Sequence, residues 1–155
     1  MSRRTCVAVI GGGSWGTTVA SLAARNAPTV LWTRRADVAE EIEQDHVNSV
    51  YLPAEQLAPT LNATTDLQRA TETADVLVMA VPSHGFRSVL TQAAPFVRPW
   101  VPIVSLTKGL ERGTHYRMTQ VIEEVAPGHP AGVLAGPNLA KEVIEGFAAA
   151  AVMAI

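Results

Sequence analysis

Short runs of consecutive apolar residues alternate with amphipathic stretches along this chain. A strand covered on both faces is apolar at successive positions, so the runs rich in Val, Ile and Leu indicate a parallel sheet. The predicted strands are Cys6–Ile10, Thr29–Trp32, Asp75–Val81, Pro102–Leu106 and Gly132–Ala135. The predicted helices are Trp15–Asn26, Ala36–Asp45, Asp66–Thr73, Phe86–Ala94, Thr114–Val125 and Ala140–Glu145. This alternation predicts a doubly wound α/β domain, with a mostly parallel sheet and helices on both faces.

Two segments depart from this alternation. The segment His46–Pro59 fits neither period and contains two prolines, so we expect a functional loop there. The apolar segment Phe147–Ile155 is typical of part of a buried strand. Because a complete domain usually ends in a polar surface tail, we expect residues 1–155 to be one N-terminal domain of a longer protein. Either Thr65 or Asp66 is expected to cap one helix, and Thr114 is expected to cap another.

Composition narrows the class of protein. The 155 residues are 48% apolar and 17% charged, which excludes a disordered, collagen-like or coiled-coil chain. The net charge of −2 implies no general attraction to nucleic acid or to an anionic membrane. A single cysteine excludes an intramolecular disulfide, and the histidines lack ligand spacing, so no metal site is predicted. With no secretion signal and no apolar run near the roughly 20 residues of a membrane span, we expect a cytoplasmic protein.

A glycine motif follows the first predicted strand and begins the first predicted helix. Gly11, Gly13 and Gly16 match G-x-G-x-x-G, the pattern of dinucleotide-binding Rossmann-type domains. Gly11 would permit the tight turn, Gly13 would let the backbone approach a pyrophosphate, and Gly16 would let the helix pack against the strand. The amides of Ser14, Trp15 and Gly16 would then point at the phosphates. The alternative is an ordinary glycine turn.

Two arginines after the second predicted strand bear on the choice of nucleotide. A fold selective for NAD usually has a carboxylate here, bonded to the ribose 2′-hydroxyl. This chain instead has Arg34 and Arg35, with no carboxylate before Asp37. Guanidinium groups suit a 2′-phosphate, so the sequence favours NADP over NAD. The alternative is that both arginines lie in solvent at the start of the next helix.

Five motifs in order carry a resemblance to a known family. They are Gly11-x-Gly13-Ser14-Trp15-Gly16-Thr17, Asn48-Ser49-Val50-Tyr51-Leu52-Pro53, Val81-Pro82-Ser83, Thr107-Lys108-Gly109-Leu110-Glu111 and Gly136-Pro137-Asn138-Leu139-Ala140-Lys141-Glu142. Together they resemble the N-terminal domain of bacterial NAD(P)-dependent glycerol-3-phosphate dehydrogenase. The resemblance implies hydride transfer between NAD(P)H and dihydroxyacetone phosphate. The product would be sn-glycerol 3-phosphate for glycerophospholipid synthesis, made by a full-length homodimer.

The resemblance also implies roles for single residues. Lys108 would contact both cofactor and substrate, and its ammonium group would stabilise the alkoxide that develops during hydride attack. Gly136 and Asn138 would contact the substrate, whereas Tyr51 and Ala140 would lie close to the cofactor. The family usually has Ser or Thr at the position of Asn138. The alternatives are a helix cap at Asn138 and a loop anchor at Tyr51.

Weaker candidates and competing functions complete the picture. Ser83 and Phe86 follow a predicted strand and could approach the nicotinamide ribose. The family's proton acceptor belongs to a C-terminal helical domain, so we expect residues 1–155 alone to bind dinucleotide with little or no turnover. One alternative is the front half of another 2-hydroxy or keto acid dehydrogenase, which the motifs Thr107–Gly109 and Gly136–Pro137 argue against. The other is a non-catalytic dinucleotide sensor.

Overall fold

The computed structural model describes residues 4–155, so Met1–Arg3 of the predicted domain lie outside the described residues. Its main sheet has seven strands in the order β5-β2-β1-β6-β7-β8-β9. The strands of the main sheet are β1 (Val7–Ile10), β2 (Thr29–Trp32), β5 (Leu61–Thr64), β6 (Val76–Met79), β7 (Ile103–Ser105), β8 (Ala131–Ala135) and β9 (Val152–Ala154). All neighbouring pairs are parallel except β8 and β9. The predicted mostly parallel sheet is confirmed.

Helices cover both faces of this sheet. They are α1 (Ser14–Ala24), α2 (Ala36–Asp45), α3 (Leu67–Thr71), α4 (Ser83–Ala93), α5 (Met118–Val125) and α6 (Ala140–Ile144). Successive residues of β1 point to opposite faces, so Ile10 packs in one apolar cluster and Val9 in the other. The cluster around Ile10 includes Phe86 of α4, whereas the cluster around Val9 includes Ile42 of α2. The expectation of helices on both faces is confirmed.

The strand order creates a crevice beside the first strand. From β1 the chain proceeds outward through β2 to β5, then returns to the other side of β1 for β6, β7 and β8. The switch point therefore lies between β1 and β6. Ligands of open α/β sheets bind at such a point, outside the carboxyl ends of the strands.

The prediction of a loop over His46–Pro59 is wrong for the middle part of that segment. Residues 46–59 contain a two-stranded antiparallel sheet of β3 (Val47–Asn48) and β4 (Leu52–Gln56). Leu52 and Leu57 are buried in the cluster around Val9 and attach the segment to the domain. The sequence prediction also missed β5, because this strand lies at the sheet's edge and only its first residue, Leu61, is buried, so it is not a continuous apolar run.

Three further predictions are wrong: the starts of two helices and the burial of the last strand. Helix α5 begins at Met118 with Arg117 as its N-cap, while the Thr114 hydroxyl donates to Glu111 (2.6 Å), so Thr114 is not a cap. Helix α4 begins at Ser83, before the predicted start at Phe86. The strand expected to be buried is instead the exposed edge strand β9, with Val152 71% exposed. The cap at Asp66 is confirmed, because its carboxylate accepts the amide of Arg69.

Membrane-spanning helices and clustered metal ligands are both absent from the described part of the chain. Within residues 4–155 no helix has the length and apolar character to cross a membrane. The same residues contain no group of three or more His, Cys, Asp or Glu side chains arranged to hold a metal ion.

Candidate functional site: a cleft at the carboxyl ends of the strands

A cleft of about 680 Å³ opens at the carboxyl edge of the sheet, over the switch point. Segments that follow β1, β2, β6 and β7 all contribute to its walls. Apart from the weaker candidate Phe86, the residues predicted from sequence to hold a cofactor all line it: Gly11, Gly13, Ser14, Trp15, Gly16, Arg34, Arg35, Tyr51, Lys108 and Ala140. The tertiary structure thus brings together residues that are spread over most of the chain.

The glycines at the base of the cleft have distinct steric surroundings. Gly11 has a φ of +128°, and a Cβ there would meet the carbonyl oxygen of Ala80 at 2.5 Å. A Cβ on Gly16 would overlap the carbonyl oxygen of Gly11. Around Gly13, in contrast, no atom lies within 4 Å of an added Cβ. Gly11 and Gly16 therefore have no room for a side chain. Gly13 leaves open space on the cleft side, where a pyrophosphate would fit.

A buried asparagine holds the glycine loop from behind. The Asn48 side-chain amide donates to the carbonyl oxygen of Gly12 (3.1 Å) and to the Thr17 hydroxyl (2.9 Å), and its oxygen accepts the amide of Tyr51 (3.3 Å). Asn48 is completely buried. From the sequence, Asn48 was noted only as part of a motif, and its role in holding the glycine loop was not predicted. A polar residue in a segment without clear periodicity was the available signal.

The two arginines lie at the rim of the cleft, and both are exposed. Arg35 forms an ion pair with Asp37, in which its Nε donates to the carboxylate at 3.0 Å. The hydrogen bond from Arg35 lowers the pKa of Asp37 to about 2, and the same pair raises the pKa of Arg35. The Tyr51 hydroxyl makes a smaller contribution to the raised pKa of Arg35. Asp37, which sequence reasoning treated only as the nearest carboxylate, thus restrains one of the two arginines.

Lys108 lies on the opposite side of the cleft, three residues after the end of β7. The preceding residue, Thr107, fixes the local backbone because its hydroxyl donates to the carbonyl oxygen of Val81 (2.6 Å) and its amide to the Ser105 hydroxyl (3.1 Å). The Lys108 side chain is exposed and forms no ion pair or hydrogen bond within residues 4–155. An unpaired ammonium group at the carboxyl end of a strand is available to a ligand.

A smaller recess of about 360 Å³ adjoins the cleft. Its lining includes Lys108, Gly136, Asn138 and Trp15, of which Gly136 belongs to the recess only. Lys108 and Asn138 border both spaces. The residues predicted to contact cofactor and those predicted to contact substrate therefore surround two adjoining spaces, and Lys108 lies between them.

The alternative interpretation of Asn138 as a helix cap is wrong. Helix α6 begins two residues later, with Leu139 as its N-cap. The Asn138 side chain folds back toward Gly136, where an added Cβ would meet its amide nitrogen at 2.8 Å. Its side-chain oxygen is inaccessible and has no hydrogen-bond partner among residues 4–155. The residue is thus part of the recess wall.

The two weaker candidates have different outcomes. Ser83 lines the cleft at the start of α4, whereas Phe86 is completely buried in the core and does not reach the cleft. The prediction that Phe86 approaches a cofactor is wrong, because the helix begins earlier than expected and turns that side chain inward. Ala140 lines the cleft, and its carbonyl oxygen accepts the Thr18 hydroxyl (3.3 Å), which joins α6 to α1.

A network of charged side chains lies behind the loop that bears Lys108. Arg87 of α4 donates to both carboxylate oxygens of Glu111 at 2.7 and 2.9 Å, and also to Glu124 of α5 at 2.7 Å. The hydrogen bonds from Arg87, followed by that from Thr114, lower the pKa of Glu111 to about 2 from its ordinary 4.5, although partial burial opposes the shift. Glu111 is therefore ionised throughout the neutral range.

This lowered pKa predicts acid-sensitive stability. A carboxylate with a lower pKa in the folded state stabilises the protein above about pH 4.5, and this contribution is lost as the pH falls toward about 2. We therefore expect the melting temperature of the wild type to exceed that of Glu111→Gln at neutral pH, and the difference to narrow below about pH 4. Glu123→Gln is the control, because Glu123 has no side-chain partner within the described residues. A difference independent of pH would contradict the prediction.

Comparisons with known proteins agree with this geometry. Residues 6–155 match the family model described as "NAD-dependent glycerol-3-phosphate dehydrogenase N-terminus". The chain belongs to this family. It is 61% identical over 154 residues to a glycerol-3-phosphate dehydrogenase [NAD(P)+] of Mycobacterium avium, covering 99% of this chain and 45% of that protein. A relative from Mycobacterium tuberculosis with the same enzyme name is 60% identical, with the same two coverages.

Solved structures show the same relationship. A glycerol-3-phosphate dehydrogenase from Coxiella burnetii superposes with a TM-score of 0.84 at 33% identity, over 92% of this chain and 44% of that one. This chain thus spans about half the length of the curated relatives it matches. The Rossmann-type fold and the resemblance that the sequence motifs indicated are both confirmed.

Proposed function

We propose that this chain is the cofactor-binding half of an enzyme that interconverts dihydroxyacetone phosphate and sn-glycerol 3-phosphate with NAD(P)H. The observation that carries the proposal is the position of Lys108, which borders both the cleft and the smaller recess. A cofactor in the cleft and a phosphorylated ketone in the recess would meet beside its ammonium group. The names of the relatives support the same substrate class.

The dinucleotide fits the residues of the cleft. The open space around Gly13 and the first-turn amides of α1 suit a pyrophosphate, since helix N-termini attract anions. When bound, the cofactor supplies or accepts the hydride. Lys108 would hold the substrate oxygen and stabilise the negative charge that develops on it. Gly136 lines the recess and packs against the Ala150 backbone, where a Cβ would not fit, and Asn138 would orient the substrate through its amide.

The remaining parts of this proposal concern the whole protein. We infer a C-terminal helical domain that provides the proton acceptor and further contacts to the substrate phosphate, and a homodimer in the cytoplasm. The product would serve glycerophospholipid synthesis. An assay of dihydroxyacetone phosphate reduction by the full-length protein tests the central claim. Equal or faster reduction of a keto acid would favour the other two-domain dehydrogenase, and cofactor binding without turnover of either substrate would favour a sensor.

We also propose a preference for NADPH over NADH. Arg34 has no ion-pair partner within the described residues and borders the cleft, so it would bind the 2′-phosphate directly. Arg35 would assist while held by Asp37. The Asp37 carboxylate at this rim can also accept a hydrogen bond from a ribose 2′-hydroxyl. NADH would therefore bind as well, but more weakly than NADPH.

A paired titration with NADPH and NADH tests this preference. Trp15 and Trp32 line the cleft, so quenching of their fluorescence will report binding. We expect tighter binding of NADPH, and we expect Arg34→Ala to weaken NADPH binding by about tenfold while leaving NADH nearly unchanged, since only one ligand carries the extra phosphate.

Arg25→Ala is the matched control for this titration, because Arg25 is exposed at the end of α1 and lies outside the cleft. Equal affinities of the wild type for both nucleotides would remove the proposed preference and leave the dinucleotide site in place. Loss of both affinities in Arg34→Ala would show that this arginine does not discriminate between them.

A further inference from the structure

The lysine loop is attached to the rest of the domain at two points, the Thr107 hydroxyl at its start and the carboxylate of Glu111. In this loop, residues 107–117, Lys108 and Gly109 are exposed, and Gly109 has a φ of +94°. Glu111 lies three residues after Lys108, and its side chain is only 13% exposed. The loop closes on itself, because the Glu111 amide donates to the carbonyl oxygen of Tyr116 (2.9 Å). A displacement of Glu111 would therefore change the path of the backbone between Thr107 and Tyr116, which includes Lys108.

Arg87 holds that carboxylate from the neighbouring helix. Its two parallel hydrogen bonds to Glu111 define both the distance and the orientation of the carboxylate, which a single contact would not. The hydrogen bond to Glu124 of α5 holds the Arg87 guanidinium from a second helix. Arg87 lies on α4, one turn after Ser83 and His84, which line the cleft. The ion pair thus connects one wall of the cleft to the loop that bears Lys108.

We propose that Arg87 and Glu111 form a clamp that positions Lys108 for the reaction. Arg87 is a positioning residue in this assignment, because it lines neither the cleft nor the recess. The inference rests on the proposed function, since it acts through the role given there to Lys108. The Lys108 side chain has no partner of its own within residues 4–155, so the direction of its ammonium group depends on the backbone of the loop.

The chemistry favours positioning over stability as the main effect of this pair. Arg87 is 36% exposed, so solvent screens the pair and limits its contribution to folding free energy to the modest loss expected for Glu111→Gln. Misplacement of a reacting group by about 1 Å, in contrast, can lower a rate by about 100-fold. A planar guanidinium is also required for the two parallel bonds, whereas a lysine would supply only one point contact.

The test is a double-mutant cycle in the full-length protein. We expect Arg87→Met to lower kcat/KM for dihydroxyacetone phosphate by about 10- to 100-fold, and Arg87→Lys to restore part of the loss. Arg98→Met is the matched control, because Arg98 is 38% exposed and pairs with Asp75 at the other end of β6. In a Lys108→Ala background, we expect Arg87→Met to cost no more than Arg98→Met does.

A second readout does not depend on turnover. NADPH should protect Lys108 from reductive methylation, measured by peptide mass spectrometry, with the exposed Lys141 as internal reference. We expect Arg87→Met to reduce this protection of Lys108 and to leave Lys141 unaffected. If Arg87→Met fails to fold, Glu111→Gln replaces it in both experiments, because it removes the charge while keeping the shape of the side chain.

The outcomes separate this inference from the proposed function. If Arg87→Met and Arg98→Met have equal effects, or if the loss in Arg87→Met persists fully without Lys108, the clamp is overturned. If the wild type does not reduce dihydroxyacetone phosphate, or Lys108→Ala reduces it normally, the proposed function fails instead. In that case the methylation of Lys108 still decides the clamp: unchanged protection in Arg87→Met overturns it, and reduced protection supports it.

Discussion

Replacement of Lys108 by alanine in the full-length protein is expected to lower kcat for dihydroxyacetone phosphate reduction by about 10²- to 10³-fold. The loss of one charged donor to a developing oxyanion has an effect of this size. We also expect a higher KM for the ketone, because Lys108 borders the recess that would bind it. Steady-state kinetics at saturating NADPH measure both parameters. Folding should be unaffected, since the side chain is exposed and without a partner in the described chain.

The chain contains its own control for this experiment. Its sequence has two lysines, and the second, Lys141, is 73% exposed on α6 and pairs loosely with Glu145 at 3.8 Å. Lys141→Ala removes the same charge from the same domain without approaching the recess. We expect it to retain wild-type kcat within about twofold. Equal losses in the two variants would point to net charge and would remove Lys108 from its proposed role.

Substitution of Gly16 by alanine is expected to cost the protein about 3 kcal/mol of unfolding free energy or more. The new Cβ would overlap the carbonyl oxygen of Gly11 and approach the Ala80 Cβ at 3.0 Å. The first of these is backbone at the base of a tight turn, which cannot rotate away as a flexible side chain can. Thermal or denaturant unfolding of the full-length protein measures the loss, and near-wild-type stability would show that the turn can adjust.

Gly13→Ala is the matched substitution with the opposite expected result. Its backbone is extended, with φ −74° and ψ 179°, and an added Cβ meets no atom within 4 Å. Stability should therefore change by no more than about 0.5 kcal/mol. Binding of NADPH should weaken by about tenfold or more, because the methyl group occupies space that the pyrophosphate requires. Unchanged affinity in this variant would mean that the phosphates lie elsewhere.

The local sequence was sufficient to predict most of the sheet. Strands β1, β2, β6, β7 and β8 were expected within a few residues of their observed bounds, because each is a buried apolar run. The glycine motif could be assigned to a turn between strand and helix for the same reason, since its pattern follows one such run directly. The strands β3, β4 and β5 were missed, because short edge strands with polar residues have no comparable pattern.

What the sequence by itself determined was therefore the fold class, the glycine turn after the first strand and a set of candidate residues. Only the tertiary structure decided which of them meet. Asn48 reaches the carbonyl of Gly12 across 36 positions of the chain, Arg87 reaches Glu111 across 24, and Phe86 turns into the core. The physical reason is range: strand and helix patterns arise from neighbouring residues, whereas contacts across a cleft depend on how completed elements pack.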